Sequence, residues 1–390
     1  MKNILGFGHL PIENGGRQSS GLASVMFKLY ENINLVDDFS YWFVATDISK
    51  SEKNIIGWSI KAIIKYALSR PWVIFYYFIK SLKLNFLYNT PFFNTYIKLL
   101  LYDKSIYQFN PEIVHLHGCS SVIFYELYNF NKLKVVITIH GINGYDDKIS
   151  GYKFLRKMEF NLSLRINTHL VFVCEDLKKS WLSNYPKQNI KSSVILNAYD
   201  KNVFFYDRKS FNSNNIIRLT TIGSLSERKG QIRVIEALSL IKNQKIEYTT
   251  IGTGSKKFIN TLNSIASEKR INYTHYGHLS PKEIKVKLNE TDFMILPSSS
   301  EGFGLVYLEA LACGVPIILP QYLPIVKESF INQNNAILLN DSSSESIKHV
   351  IENITKYKFD FKNVAKTVNH LSWENIGVEY ANLFNNIINE

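Results

Sequence analysis

The chain has 390 residues, of which 46% are hydrophobic and 20% are charged, and its formal net charge is +12. The composition is typical of globular proteins. Because the chain is longer than the chains that usually fold around one hydrophobic core, two domains are expected. The positive charge favours an anionic partner: a phosphorylated substrate, an acidic membrane surface or nucleic acid. Alternatively, it serves solubility alone.

The N-terminal segment MKNILGFGHLP makes a poor signal peptide, because its apolar run is short and broken by Gly, His and Pro. The run WVIFYYFI, from Trp72 to Ile79, is too short to span a bilayer. The three cysteines are dispersed and form no Cys-x-x-Cys motif, which argues against structural zinc or a disulfide framework. A cytoplasmic protein is therefore expected.

Short apolar runs alternate with longer helical patterns along the chain. The predicted strands of a first series are KNILGFG, YWFVAT, EIVHLH, KVVITIH, HLVFVC and SVILN, and those of a second are IRLTTIG, IEYTTIG, INYTHYG, DFMILP and VPIILP. Many are apolar throughout, which is typical of parallel strands covered on both faces. We expect two doubly wound α/β domains, with a boundary in the polar stretch near residues 200–215 and domains over 1–205 and 206–370.

Residues 58–105 mix aromatic residues, aliphatic residues and lysines, and Asp103 is their one acidic residue. One interpretation is a set of helices packed on the first sheet. The other is a basic and aromatic surface that faces an anionic membrane, with Trp58, Trp72, Phe75 and Phe78 in the interface.

Ligands of doubly wound folds bind outside the carboxyl ends of the strands. In the first half, Gly15 and Gly16 follow the first strand and would let the backbone approach a phosphate or sugar, although a plain turn is an alternative. His117 and His140 each end a strand, and alternation points His115 to the same side as His117. Either histidine could instead be a structural residue.

In the second half, GSLSERKG (Gly223 to Gly230) places Arg228 and Lys229 just before a helical run. Cations beside a helix N-terminus suit a diphosphate, which needs both positive charge and amide donors. The alternative is a solvated basic turn.

The segment PSSSEGFGLVYLEALACGVP runs from the end of a predicted strand through a loop into a helix that begins near Leu305. The amides at the helix start can bind phosphate, whereas Glu301 and Glu309 can accept hydrogen bonds from sugar hydroxyls. Together they predict a nucleotide-sugar site. Alternatively, Glu301 caps the helix and Glu309 lies on a solvated face, which its apolar neighbours make less favourable.

This segment resembles the Glu-x7-Glu signature of retaining GT-B glycosyltransferases, specifically glycosyltransferase family 4. Looser matches follow the family's order along nearly the whole chain: NGG, the strand-end His117, TIHG, VILNAYD, GSLSERKG, IGTGS, YGHLS and SWENIGVEYANLF. The resemblance implies two Rossmann-like domains with a cleft between them. It also implies a terminal helix, residues 371–390, that crosses back to the first domain.

The resemblance implies a role for each matching position. His140, Lys229 and Glu301 would be catalytic, with His140 beside the transferred sugar. His117 and Asn197 would lie on the acceptor side. The donor-binding positions would be Gly15, Gly16, Ser224, Arg228, Lys229, Gly252, Gly254, Gly277, His278, Glu301, Gly302, Phe303, Gly304, Leu305 and Glu309.

Within these, Glu309 would bind the ribose, Lys229 the diphosphate, and Glu301 with the amides of Gly302 to Leu305 the transferred sugar. Gly252 to Gly254 and Gly277–His278 would flank the base. The family often has Arg where this chain has Ser224, and Arg228 would supply the missing charge.

The implied reaction moves a sugar from a UDP- or GDP-linked donor to an acceptor hydroxyl with retention, as in bacterial surface polysaccharide synthesis on lipid-linked acceptors. No Asp-x-Asp occurs in the chain, so no metal and no other cofactor is expected. One alternative is a nucleotide-sugar epimerase on the same fold. A non-catalytic nucleic-acid-binding protein is the other, but the lysines are dispersed and no binding signature for RNA or DNA is present.

Overall fold

A computed structural model describes residues 1–16, 21–45, 53–57, 59–88, 92–118, 133–142, 168–185, 190–207 and 216–390. The chain divides into two compact units, and each is treated by itself. The first unit comprises Met1–Leu196 and Glu374–Glu390, and the second comprises Asn197–Trp373. Asn197, expected in the first domain, is therefore the first residue of the second unit.

The first unit contains a seven-stranded parallel sheet with the strand order β3-β2-β1-β4-β5-β6-β7. Its strands are β1 (Lys2–Gly8), β2 (Phe39–Ala45), β3 (Ile55–Gly57), β4 (Ile113–His117), β5 (Lys134–Ile139), β6 (Thr168–Phe172) and β7 (Lys191–Val194). Every residue of β4 is buried, including His115 and His117, which is typical of a central parallel strand covered on both faces.

The described helices of the first unit are α1 (Gly21–Ile33), α2 (Ile60–Ser69), α3 (Pro71–Tyr88), α4 (Phe92–Phe109), α5 (Glu175–Asn184) and α12 (Trp373–Asn389). The last of these reaches the unit from the far end of the chain. Its Tyr380 hydroxyl lies 3.0 Å from Thr138 Oγ1 of β5, and Phe384 contacts Phe39 of β2 ring to ring. Lys134 Nζ donates to two carbonyls of its last turn.

The second unit contains a six-stranded parallel sheet with the strand order β10-β9-β8-β11-β12-β13. Its strands are β8 (Ile216–Ile222), β9 (Lys245–Ile251), β10 (Asn272–Tyr276), β11 (Phe293–Ile295), β12 (Ile317–Pro320) and β13 (Ala336–Leu339). Its α-helices are α6 (Gln231–Ser239), α7 (Lys256–Glu268), α8 (Pro281–Asn289), α9 (Leu305–Ala312), α10 (Ser344–Glu352) and α11 (Phe361–Lys366).

Local sequence signals set several helix starts in this unit. Ser280 and Glu283 form a reciprocal capping box at the start of α8, and the Ser255 hydroxyl accepts from the amide of Phe258 at the start of α7. The apolar face of α6, with Val234 and Ile235, is fully buried in the core of the unit. These elements hold the loops at the carboxyl ends of the strands.

Each sheet has one position where the strand order reverses. In the first unit it lies between β1 and β4, and in the second between β8 and β11. Loops that leave such a pair of strands diverge to opposite faces of the sheet and open a crevice, which is the usual ligand site of this architecture.

The prediction of two doubly wound α/β domains is confirmed. Two strands, β3 and β13, were missed because each is a short edge strand, with three and four residues respectively. Apart from Trp58 and residues 89–91, which lie outside the described residues, the segment 58–105 falls within α2, α3 and α4 and the residues beside them. No helix in the described part of the chain is both long and apolar enough to cross a bilayer.

Candidate active site

An ion pair between Lys229 and Glu301 lies at the reversal point of the second sheet. Lys229 ends a short 3-10 helix after β8, and Glu301 lies in the loop after β11. The Lys229 Nζ atom is 2.5 Å from Glu301 Oε1, and Arg228 Nη1 is 3.2 Å from the same oxygen. The side chains of Lys229 and Glu301 are 10% and 9% exposed, whereas that of Arg228 is 45% exposed. Two cations thus share one carboxylate, which leaves a net positive charge for an anionic ligand.

Hydrogen bonds tie the two loops together beneath this ion pair. The backbone carbonyl of Arg228 accepts from the Ser299 amide at 2.8 Å and from the hydroxyls of Ser298 and Ser299 at 3.2 and 3.3 Å. The Arg228 guanidinium also donates to the carbonyl of Ser300. The geometry of the site is therefore set by backbone contacts as well as by charge.

Arg233 and Tyr322 support the same loop and were missed by the sequence analysis. Arg233 donates from Nη2 to the carbonyl of Pro297 at 2.9 Å and from Nη1 to the carbonyl of Glu227 at 3.2 Å. The Tyr322 hydroxyl donates to the carbonyl of Ser298 at 2.9 Å. Pro297 lies 64 residues from Arg233 and Ser298 lies 24 residues from Tyr322, so spacing alone gave no signal for these contacts.

The pKa of Lys229 is set by burial and by two neighbouring charges. Burial lowers the pKa of Lys229, the charge of Glu301 opposes this effect, and the charge of Arg228 adds to it. An arriving dianion would relieve the repulsion between the two cations. Lys229 is therefore suited to stabilise a diphosphate.

Gly304 is the N-terminal cap of helix α9, and its φ of +84° and the nearby Tyr307 ring require a glycine. A Cβ on Gly304 would lie 2.6 Å from that ring, and the Tyr307 hydroxyl is anchored on the carbonyl of Leu296 at 3.2 Å. Phe303 is buried, while Gly302 and Leu305 are partly exposed. The start of α9 thus lies a few residues after Glu301, and the first amide groups of the helix lie at the reversal point.

Glu309 lies more than one turn inside α9 and is partly buried. Burial and, as a smaller cause, the negative charge of Asp200 together raise the pKa of Glu309 to about 7. No hydrogen bond or ion pair to its carboxylate is found among the described residues. A carboxylate in such a position can accept hydrogen bonds from a hydroxyl-bearing ligand.

The other predicted donor-side residues of this unit follow β8, β9 and β10. Gly252 has a φ of +139°, and a Cβ there would lie 2.0 Å from the carbonyl oxygen of Gly223, so a side chain would push apart the ends of β8 and β9. Gly254 forms a bridge with Leu225, and open space lies beside Gly277. Ser224 is exposed, and its carbonyl accepts from Gln231 Nε2 at 3.0 Å. His278 is also exposed.

Gly15 and Gly16 follow β1 in the first unit. Gly15 has a φ of +82° with open space beside it, and its amide donates to Ile12 at 3.0 Å. A Cβ on Gly16 would lie 2.0 Å from the carbonyl oxygen of Leu10. This turn is therefore tight and exposes backbone at the reversal point of the first sheet.

The histidines of β4 and the histidine directly after β5 form a polar cluster in the first unit. The rings of His115 and His117 lie 4.2 Å apart on the same side of β4, and His117 Nδ1 is 3.2 Å from His140 Nε2. His115 lies 2.9 Å from the Tyr41 hydroxyl and 2.8 Å from Thr138 Oγ1. His117 is 2% exposed, so His140 presents the more accessible ring.

Burial lowers the pKa of His140 to about 4 and that of His115 to about 3, with the charge of His140 as a second cause for His115. The cluster is neutral near pH 7. Within the described ranges, no three His, Cys, Asp or Glu residues are arranged to hold a metal ion. Asn197, at the start of the second unit, is 7% exposed.

A family model and several known proteins match this chain. The family "Glycosyl transferases group 1" matches residues 204–367. The O-antigen biosynthesis glycosyltransferase WclY of Escherichia coli is 26% identical over 208 residues, which are 51% of this chain and 57% of WclY. The match therefore covers less than two thirds of that relative.

Two solved structures share the fold over nearly all of the chain. A sucrose-phosphate synthase from Thermosynechococcus elongatus has a TM-score of 0.73 at 13% identity and covers 100% of both chains. Anabaena HepE, solved in complex with UDP and glucose, has a TM-score of 0.69 at 14% identity and covers 99% of this chain and 100% of its own. Residues 204–367 thus match the glycosyl transferases group 1 family, and the two parallel-sheet units have the GT-B fold.

Proposed function

We propose that the protein transfers a sugar from a nucleotide-sugar donor to an acceptor hydroxyl with retention of the anomeric configuration. The observation that carries this proposal is the Glu301 carboxylate shared by Lys229 and Arg228 beside the start of α9. A positively charged crevice next to the amides at the start of α9 suits a diphosphate, and Glu309 suits the hydroxyls of a ribose.

In this reaction the acceptor oxygen bonds to the anomeric carbon, while the bond from that carbon to the phosphate oxygen breaks. The acceptor proton passes to the departing phosphate oxygen on the same face of the sugar. Lys229, Arg228 and the amides at the start of α9 stabilise the charge that builds on the leaving diphosphate. Glu301 and Glu309 then act as binding groups and not as the acid and base of a glycosidase.

The proposed donor is a UDP- or GDP-sugar. Support for UDP comes from HepE, which has the same fold and was solved with UDP and glucose. Support for a surface glycan as acceptor comes from WclY, whose name places it in O-antigen biosynthesis. We therefore propose that this cytoplasmic enzyme extends a lipid-linked bacterial surface polysaccharide at an anionic membrane.

A thermal-shift screen of UDP-, GDP- and ADP-sugars tests the donor assignment. A ligand at a hundredfold excess over its Kd stabilises the folded state by about 2.7 kcal/mol, so one nucleotide series should raise the Tm clearly above the others. Product analysis of that donor without acceptor is the companion measurement. A free epimerised nucleotide sugar would support the epimerase, and no shift with any donor would contradict both enzymes.

Turnover should persist in EDTA. Positive charge from Arg228 and Lys229, together with helix amides, meets the charge on the leaving group, so no divalent ion is needed. Sugar transfer is measured with and without chelator, and the chelated enzyme should keep nearly full activity. Loss of activity that magnesium or manganese restores would contradict this prediction.

A further inference from the structure

Helix α3 (Pro71–Tyr88) has two apolar faces, and the fold of the first unit uses only one of them. The inner face carries Val73, Tyr77, Ser81 and Leu84, all of which are buried. This face packs towards α2 and α4. Its spacing of three and four residues is that of one side of a helix.

The opposite side carries a second apolar row, here named the outer stripe: Trp72, Phe75, Ile79, Leu82 and Phe86. These residues also recur every three or four positions, and their mean direction is roughly opposite to the inner face. All five are exposed, from 47% for Leu82 to 90% for Phe86. Scattered exposed apolar residues are ordinary, but a continuous row along four turns of helix is typical of an interaction surface.

The three-helix segment that carries the outer stripe has a positive net charge. Residues 59–109 contain seven lysines and arginines, and Asp103 is their one acidic residue. Asp103 is buried in the inner packing, where it accepts from the Tyr66 hydroxyl at 2.5 Å and from the Tyr77 hydroxyl at 3.0 Å. Lys83, by contrast, is exposed on the turn beside the stripe.

We propose that the outer stripe docks on an anionic lipid surface. Trp and Phe side chains fit the boundary between headgroups and acyl chains, and lysines beside them bind anionic headgroups. The helix is not apolar enough to cross a bilayer, so it lies in the interface.

A second copy of the chain is a poorer occupant of the same stripe. Pairing of two stripes through their own helices would bring lysines such as Lys83 together with no carboxylate on the partner helix to oppose them. Bulky aromatic residues at three of the five positions also fit poorly into the narrow seam of a helix pair. The charge and the residue types therefore favour lipid.

This inference deepens the proposed function, because it names the helix that would bring the enzyme to a lipid-linked acceptor. It rests on the proposed function only for that purpose. Binding to vesicles is measured without donor or acceptor, so failure of the docking surface and failure of the transferase assignment give different results.

The experiment is co-sedimentation of the full chain with vesicles of phosphatidylglycerol and phosphatidylcholine, and with vesicles of phosphatidylcholine alone. The test variant is Phe75→Gln/Ile79→Gln/Phe86→Gln. A matched control, Leu35→Gln/Leu240→Gln/Val286→Gln, removes exposed apolar side chains elsewhere. We expect the test variant to bind vesicles about tenfold or more weakly, because it lacks the apolar side-chain surface that the lipid would bury. Binding of the wild type should weaken in high salt.

The control should bind like the wild type, and all three proteins should keep the same Tm and the same donor-induced thermal shift. Equal binding by the test variant, or equal binding to both kinds of vesicle, would overturn the proposal. So would a dimer of the wild type that does not bind vesicles and that the test variant converts to a monomer.

Discussion

Replacing Lys229 with methionine should reduce kcat/KM about 30- to 1000-fold, because about 2–4 kcal/mol of transition-state stabilisation is lost with its charge. Methionine keeps most of the volume and the apolar stem of the buried side chain. Arg228 remains 3.2 Å from Glu301, so the carboxylate still has a cationic partner. The variant should therefore fold, and the loss should fall on the chemical step.

Steady-state kinetics with the preferred donor measure this effect, and circular dichroism checks the fold. Lys256→Met is the matched control, since it removes an exposed lysine at the start of α7 in the same unit. It should behave like the wild type. Near-normal kinetics in a folded Lys229→Met protein would remove Lys229 from the catalytic site.

Replacing Glu309 with glutamine should weaken donor binding and at the same time stabilise the folded protein. A carboxylate accepts hydrogen bonds from two ribose hydroxyls, and charged hydrogen bonds contribute about 1.5–3 kcal/mol, so affinity should fall about 10- to 100-fold. Affinity of the wild type should rise as the pH increases through about 7, where Glu309 ionises. The variant should lack this component of the pH dependence.

The stability effect follows from the same pKa. In the unfolded chain Glu309 ionises near its ordinary value of 4.5, whereas in the folded protein its pKa is about 7. Ionisation therefore destabilises the fold progressively as the pH rises from 4.5 to 7, and the full cost remains above 7. The variant should be more stable than the wild type by about 1–3 kcal/mol at pH 8, with little difference at pH 4.5.

Calorimetric titration with donor and urea unfolding at both pH values provide the two measurements. Glu268→Gln, at the end of α7, is a suitable control because it is exposed. A variant that binds donor as tightly as the wild type would contradict the assignment of Glu309 to the ribose. A variant that gains no stability at pH 8 would contradict its raised pKa.

Sequence patterns predicted that the candidate residues lie in loops after strands, but they did not predict the contacts between those residues. Glu301 and Lys229 were identified because each follows a strand in a doubly wound fold, where chain order alone places the ligand loops. That Arg228 reaches the same carboxylate oxygen depends on how two loops fold back on each other. The contacts of Arg233 and the charge of Asp200 near Glu309 likewise join residues distant in sequence.

For the segment 58–105, too, the sequence predicted the helices but not which side chains they bury. Its composition indicated both a helical layer and a membrane surface, and the two interpretations remained open. The structure separates the faces of α3, because Tyr77 and Asp103 identify the inner side and Phe75 and Phe86 the outer side. A helix that is apolar all round gives no periodic signal by which the sequence alone could make that distinction.

The division of the first unit between the two ends of the chain sets an order of events during synthesis. Tyr380 and Phe384 are buried against His115, which lies more than two hundred residues earlier. Because the ribosome delivers the N-terminal part first, the sheet of this unit emerges long before α12 can cover it. The second unit is continuous in sequence and can complete its core before Glu374–Glu390, the last segment of the first unit, has been synthesised.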